Sequence, residues 1–299
     1  MGLAAAPWMA GAAHSQTARR DVVLNLSLEP DSLDPTMSPA AAVGEVVHFN
    51  VLEGLTRIDE NGAVAPLLAE SWQWGAEGRS CAFRLRAGVR FHDGKLLDAQ
   101  AVRASFERAV APGSTNKARR ALFDNIATIA TPDAHTVALT LHHPDAHLLF
   151  RLGEGTAVIA HPATAGQLAR APVGTGPYRV AQWQRGHSIR LERAPAARAA
   201  QQVALDGATY RFIHDPLERE QALHAGSIDV FFQFATRAAR TFEEDMRYQL
   251  LVGSSSGKGM LALNHRRAPL GDVRVRRAIT HAIDREGFIQ RVLDGHGEA

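Results

Sequence analysis

The sequence predicts an α/β protein interrupted by a separate α+β unit, and three observations carry that expectation. Residues 22–54 read as strand, loop and helix; residues 55–171 give up that rhythm for short strands, turns and one clear helix; from Pro172 strand and helix alternate again. A chain of 299 residues, 45% hydrophobic and 21% charged, is long enough for two such cores and has ordinary globular composition.

Taken in order, Val22, Leu24, Leu26 and Leu28 alternate with Val23, Asn25 and Ser27, the period-two pattern of a strand. Residues 29–35 hold two prolines and three carboxylates, which exclude both a helix and a central strand, so a loop follows. Ser38 is placed to cap a helix with Pro39 at its first position; Val43, Val46, Val47 and Val51 mark its apolar face, and Gly54 ends it. Within the α+β unit, Phe83 and Leu85, and again Val137, Leu139 and Leu141, fall on alternate positions of half-buried strands. Asp98 caps a helix in which Val102, Phe106 and Val110 recur four apart.

Beyond Pro172, strands at 178–183, 189–193, 210–213 and 228–232, with a helix at 217–225 closed by Gly226, predict a largely parallel sheet covered by helices. A helix near 235–246 and strands near 248–252 and 260–264 extend it. The last element is a single long helix capped by Asp272, with Val275, Ile279, Ile283, Ile289, Val292 and Leu293 along one face. Covering about five such side chains is worth roughly 10 kcal/mol, so this stripe calls for a partner surface.

Several functions lose support at once. The net charge is only +2, the lysines are Lys95, Lys117 and Lys258 alone, and like charges do not run together, so no nucleic-acid partner is expected. Cys81, the single cysteine, can form neither an internal disulfide nor a CxxC pair. Residues 1–19 hold a short apolar run ending in Ala13-His14-Ser15, which reads as a signal peptide without a basic start or as a disordered terminus. It is too short to span a bilayer, and no cysteine beside it could carry a lipid, so no direct membrane anchor is expected.

Gly253-Ser254-Ser255-Ser256-Gly257 matches the GxSxG nucleophile pattern, but residues 260–264 read as a strand where that motif needs a helix. The same stretch is one residue short of a phosphate loop, and Gly259 stands where a hydroxyl must hold magnesium. His142, His143, Asp145 and His147 lie close in sequence around Pro144, without the helical spacing of a metal pair. His92-Asp93-Gly94 reads as a turn. The expectation is binding: no catalytic residue, no metal site, no cofactor.

Five segments in order give that binding a family. They are EPDSLDP at 29–35, VLEGLTRIDENGAVAPLLAESW at 51–72, FRLRAGVRFHDGK at 83–95, PVGTGPY at 172–178 and LNHRRAPLGDVRVRRAITHAIDRE at 263–286. Together they resemble the dipeptide-, oligopeptide- and nickel-binding proteins of ABC importers, the extracellular solute-binding proteins of family 5. Cys81-Ala82, Leu96 and Ala101 depart from the usual pattern inside the α+β unit.

The resemblance implies a periplasmic-binding-protein-like two-lobed fold (type II), with an α+β domain inserted in lobe I and lobe II incomplete. Residues 20–48 and 172–263 would be lobe I, 49–171 the inserted domain, and 264–299 the start of a truncated lobe II. It implies a periplasmic protein that closes on a peptide or other small solute and hands it to an ABC permease in the inner membrane. A nickel complex as the solute, or a nonfunctional fragment, are the alternatives. Asp34, Thr36, Met37 and Ser38 are the candidate cleft residues. Gly174, Thr175, Gly176 and Pro177, where glycine would permit unusual dihedrals, together with Asn264, are the candidate return and hinge positions. The group that pairs with a peptide's amino terminus would lie on lobe II, outside this sequence.

Overall fold

The computed structural model describes residues 20–38, 40–232, 242–253, 259–293, 295, 297 and 298. They form two compact units, one running to Phe231 and one starting at Phe232.

In the first unit, β1 (Asp21–Leu26) pairs in parallel with β10 (Gly207–Phe212), Asp21 opposite Gly207 and Leu26 opposite Phe212. β10 then pairs antiparallel with β9 (Ser188–Arg193), and β9 antiparallel with β8 (Tyr178–Gln184). The expected largely parallel sheet is thus corrected to a mixed one. For β8 and β9 the reason is the short connection: His187 N–H donates to the Gln184 carbonyl across a tight turn, and such a turn can only reverse the chain. The strand expected at 228–232 shrinks to one parallel bridge between Leu24 and Val230, because the Asp229 carboxylate itself takes the Val23 N–H at 2.7 Å.

Helix α1 (Ala41–Val47) starts later and ends earlier than its sequence suggests. The Ser38 hydroxyl bonds the Ala40 N–H at 3.3 Å instead of capping a helix, and Pro39 lies outside the described residues. His48 is extended and Phe49 sits at φ +62°, so the chain leaves the helix six residues before Gly54. Its buried Val43, Val46 and Val47 pack with Leu26, Ile189, Leu191 and Tyr210 of the sheet into one core. Helix α4 (Pro216–His224) is capped by Asp215, which accepts from Glu218 N–H at 2.9 Å.

Between these parts, β2 (Thr56–Ile58) and β3 (Val64–Pro66) form a hairpin. A second, wholly antiparallel sheet follows in the order β4 (Ala69–Trp74), β5 (Ser80–Leu85), β7 (Thr136–Leu141), β6 (Ile126–Asp133). Phe83, Val137 and Leu139 point from it into a core shared with Val102 and Phe106 of α2 (Ala99–Val110). As expected, Asp98 caps α2, accepting from Ala101 N–H at 2.9 Å. A short helix α3 (Leu148–Arg151) completes this layer.

In the second unit the expected long helix is two: α5 (Val273–Ala282) and α6 (Arg285–Val292). Ile283 is extended with ψ 113°, and the Asp284 carboxylate accepts from Gly287 N–H at 2.8 Å, so a second N-cap interrupts the run. The described parts of 248–252 and 260–264 are irregular, with Leu251 and Met260 exposed and no strand alongside among the described residues. Most of the helix expected at 235–246, and residues 254–258 of the glycine/serine motif, lie outside the described residues. No helix among those described is long and apolar enough to cross a membrane.

Candidate ligand-binding site

Asp34, Thr36, Met37 and Ser38 come together in the loop that leaves β1. Asp34 organises it: one carboxylate oxygen accepts from the Thr36 N–H at 2.9 Å and the Thr36 hydroxyl at 2.6 Å, the other from Arg108 Nη1 at 3.1 Å. The Asp34 carbonyl accepts from both Met37 and Ser38 N–H at 3.2 Å. Asp34, Thr36 and Ser38 are buried, whereas Met37 is 45% exposed. Lys117 N–H donates to the Thr36 carbonyl at 3.0 Å, joining the loop to residues 113–117 that follow α2. Thr36, Met37, Arg108, Ser114, Thr115 and Asn116 line a cavity of about 130 Å³ there. Hydroxyls, an amide, the Arg108 guanidinium, a thioether and loop backbone suit hydrogen bonding and apolar contact with a small solute.

The 174–177 segment occupies a different place. Gly176 and Tyr178 N–H donate to the Val51 and Asn50 carbonyls at 3.1 and 2.9 Å. A Cβ on Gly174 or Gly176 would collide with those same carbonyl oxygens, and neither glycine has positive φ. Closeness of two backbones, not unusual dihedrals, is therefore what requires glycine here. The Thr175 hydroxyl donates to Glu53 at 2.7 Å, and Arg198 reaches the other Glu53 oxygen at 3.0 Å. Burial raises the Glu53 pKa; the Thr175 bond and the Arg198 and Arg86 charges oppose that rise.

His92 clamps the same segment. Its Nδ1 accepts from the Gly174 N–H at 3.3 Å, and its Nε2 lies 2.9 Å from the Gly176 carbonyl, which can only accept, so the proton sits on Nε2. Burial is the main cause of its lowered pKa, and a neutral ring is the form these two bonds require. Gly94 has φ +86°, so the expected turn at 92–94 is present as well. Asn264 belongs to the second unit, where its side-chain oxygen accepts from Arg266 N–H at 3.1 Å. His147 N–H and Arg151 both bond Asp145, at 2.8 and 2.7 Å, which is the local structure at the histidine-rich 142–147 stretch.

Sequence reasoning missed Arg108, Glu53, Arg198 and the ring of His92. It is the burial of Asp34 in the structure, not a feature of the sequence, that calls for a cation from elsewhere in the chain.

Residues 63–299 match the profile described as bacterial extracellular solute-binding proteins, family 5 Middle. The glutathione-binding protein GsiB of Pectobacterium atrosepticum is 27% identical over 283 residues, covering 93% of this chain and 55% of that protein. The periplasmic binding protein DppA from Helicobacter pylori, solved with the peptide STSA, superposes with a TM-score of 0.83 at 25% identity over 92% of this chain and 58% of its own. AgaA from A. tumefaciens R10, solved with agropinic acid, gives a TM-score of 0.71 at 30% identity over 76% of this chain and 46% of its own. The chain spans about half the length of the curated relatives it matches. By the extent of the profile match and the order of its motifs, this chain belongs to the bacterial extracellular solute-binding proteins, family 5.

Proposed function

We propose that this chain is part of the substrate-binding component of an ABC importer, which captures a peptide-like solute in the periplasm and delivers it to an inner-membrane permease. Residues 20–48 and 172–263 form lobe I in this reading, 49–171 the inserted domain, and lobe II starts at 264. The cleft wall is the 34–38 loop; 174–177 is the stiff return of the chain to lobe I, and Asn264 marks the crossing toward lobe II. The observation that carries the reading is the 34–38 loop itself, with its polar groups turned inward to fix its shape and Met37 left open beside a small polar cavity. Lobes that rock about a few residues enclose the solute, and the closed form is what a permease can distinguish.

Glutathione and dipeptides are the first solutes to test, since relatives and structural neighbours carry those names. Fourteen histidines keep a nickel complex as the second reading. Calorimetry on the protein from the complete reading frame separates them. Micromolar or tighter binding of glutathione or a dipeptide supports the proposal; binding of nickel-histidine with no peptide response moves the assignment to the metal complex.

A further inference from the structure

Asp34 reaches its loop partners with one oxygen and α2 with the other, and this division of labour has a consequence for solute binding. We propose that Arg108 is a positioning residue: through Asp34 it holds the 34–38 loop against α2, so that Met37 and the loop backbone meet the solute in a fixed geometry. The inference rests on the solute-binding reading above.

The Asp34 side chain is only 3% exposed, and a carboxylate so placed keeps its charge only with a partner. Arg108 is the cation that supplies it, and its second nitrogen, Nη2, also lies 3.4 Å from the Thr36 hydroxyl. Packing alone does not hold Arg108. Its side chain borders two cavities, of about 130 and 230 Å³, and its buried Nε has no acceptor among the described residues. Arginine and loop therefore fix one another. Without Arg108 the buried carboxylate loses its cation and turns out to water, which weakens its hold on the Thr36 N–H. A loosened loop must then be ordered by the solute, which lowers affinity beyond any contact Arg108 itself makes from the cavity wall.

The test uses the protein from the complete reading frame as wild type, Arg108→Ala and Arg108→Lys, read by amide hydrogen exchange and by calorimetry with glutathione and a dipeptide panel. In Arg108→Ala, the Thr36, Met37 and Ser38 amides should exchange about tenfold faster or more while β5 and β7 amides keep their protection. Affinity for the best-bound peptide should fall by about tenfold or more. Arg108→Lys should recover part of both, because an ammonium can meet Asp34 but not Asp34 and Thr36 together in fork geometry. Unchanged loop exchange and affinity in Arg108→Ala would overturn the proposal, as would loss of β5 and β7 protection in step with the loop. If the wild type binds none of the peptides, the solute reading fails, and loop exchange alone decides whether Arg108 holds the loop.

Discussion

Replacing Arg198 by methionine would leave the Glu53 carboxylate, 3% exposed, with the Thr175 hydroxyl as its nearest remaining partner. Stranding a buried charge in this way costs about 3 kcal/mol or more, so urea denaturation of Arg198→Met should show a loss of that size. Gly174→Ala should cost about 3 kcal/mol for a different reason: the new methyl meets the Val51 carbonyl, a backbone atom with nowhere to go. At this scale the sequence was legible where a residue's role is local. Asp98 and Asp272, read as caps from their spacing, each accept a nearby backbone N–H at the start of a helix. It was not legible where partners are distant in the chain, since Arg108 lies 74 residues from Asp34 and His92 lies 82 from Gly174. No spacing rule connects such pairs.

Among the elements, α2 shows the core logic most plainly. Phe106 is fully buried against Phe123 and the β5–β7 layer, with ring centroids 5.4 Å apart from Phe123, so Phe106→Ala should cost about 3–5 kcal/mol and raise exchange throughout that layer. Asp284→Ala should cost only about 1 kcal/mol, seen as faster exchange at the start of α6 with α5 unaffected, because the cap separates two helices rather than joining them. The sequence pattern located β1, β8, β9 and β10 in one sheet and β5 and β7 in the other, but not β4 or β6, and it did not set strand directions. Alternation records which face is buried; whether neighbours run parallel is set by connection length, and the short turn after β8 settled that against the parallel expectation. The apolar stripe along 275–293 concealed the break at Ile283, because Asp284 satisfies a helical spacing and an N-cap equally well in the sequence.

For the whole molecule, burial ties stability to pH. His48 is lowered from 6.5 to about 4, chiefly by burial, and His92 is lowered by the same cause. A histidine whose folded pKa is depressed contributes stability that is present above its unfolded pKa and lost as pH falls through that value toward the folded one. Urea melts of wild type and His48→Phe, compared from neutral pH toward about pH 4, should therefore show the wild type losing more stability, with the carboxylates raised by burial cancelling in the difference. The most direct test of a solute-binding role is native mass spectrometry of the protein made from its complete reading frame in its own host. The account predicts a bound species of peptide size that leaves on denaturation and is displaced by excess of the best-bound peptide; a bare protein mass that no peptide or nickel complex shifts would contradict it.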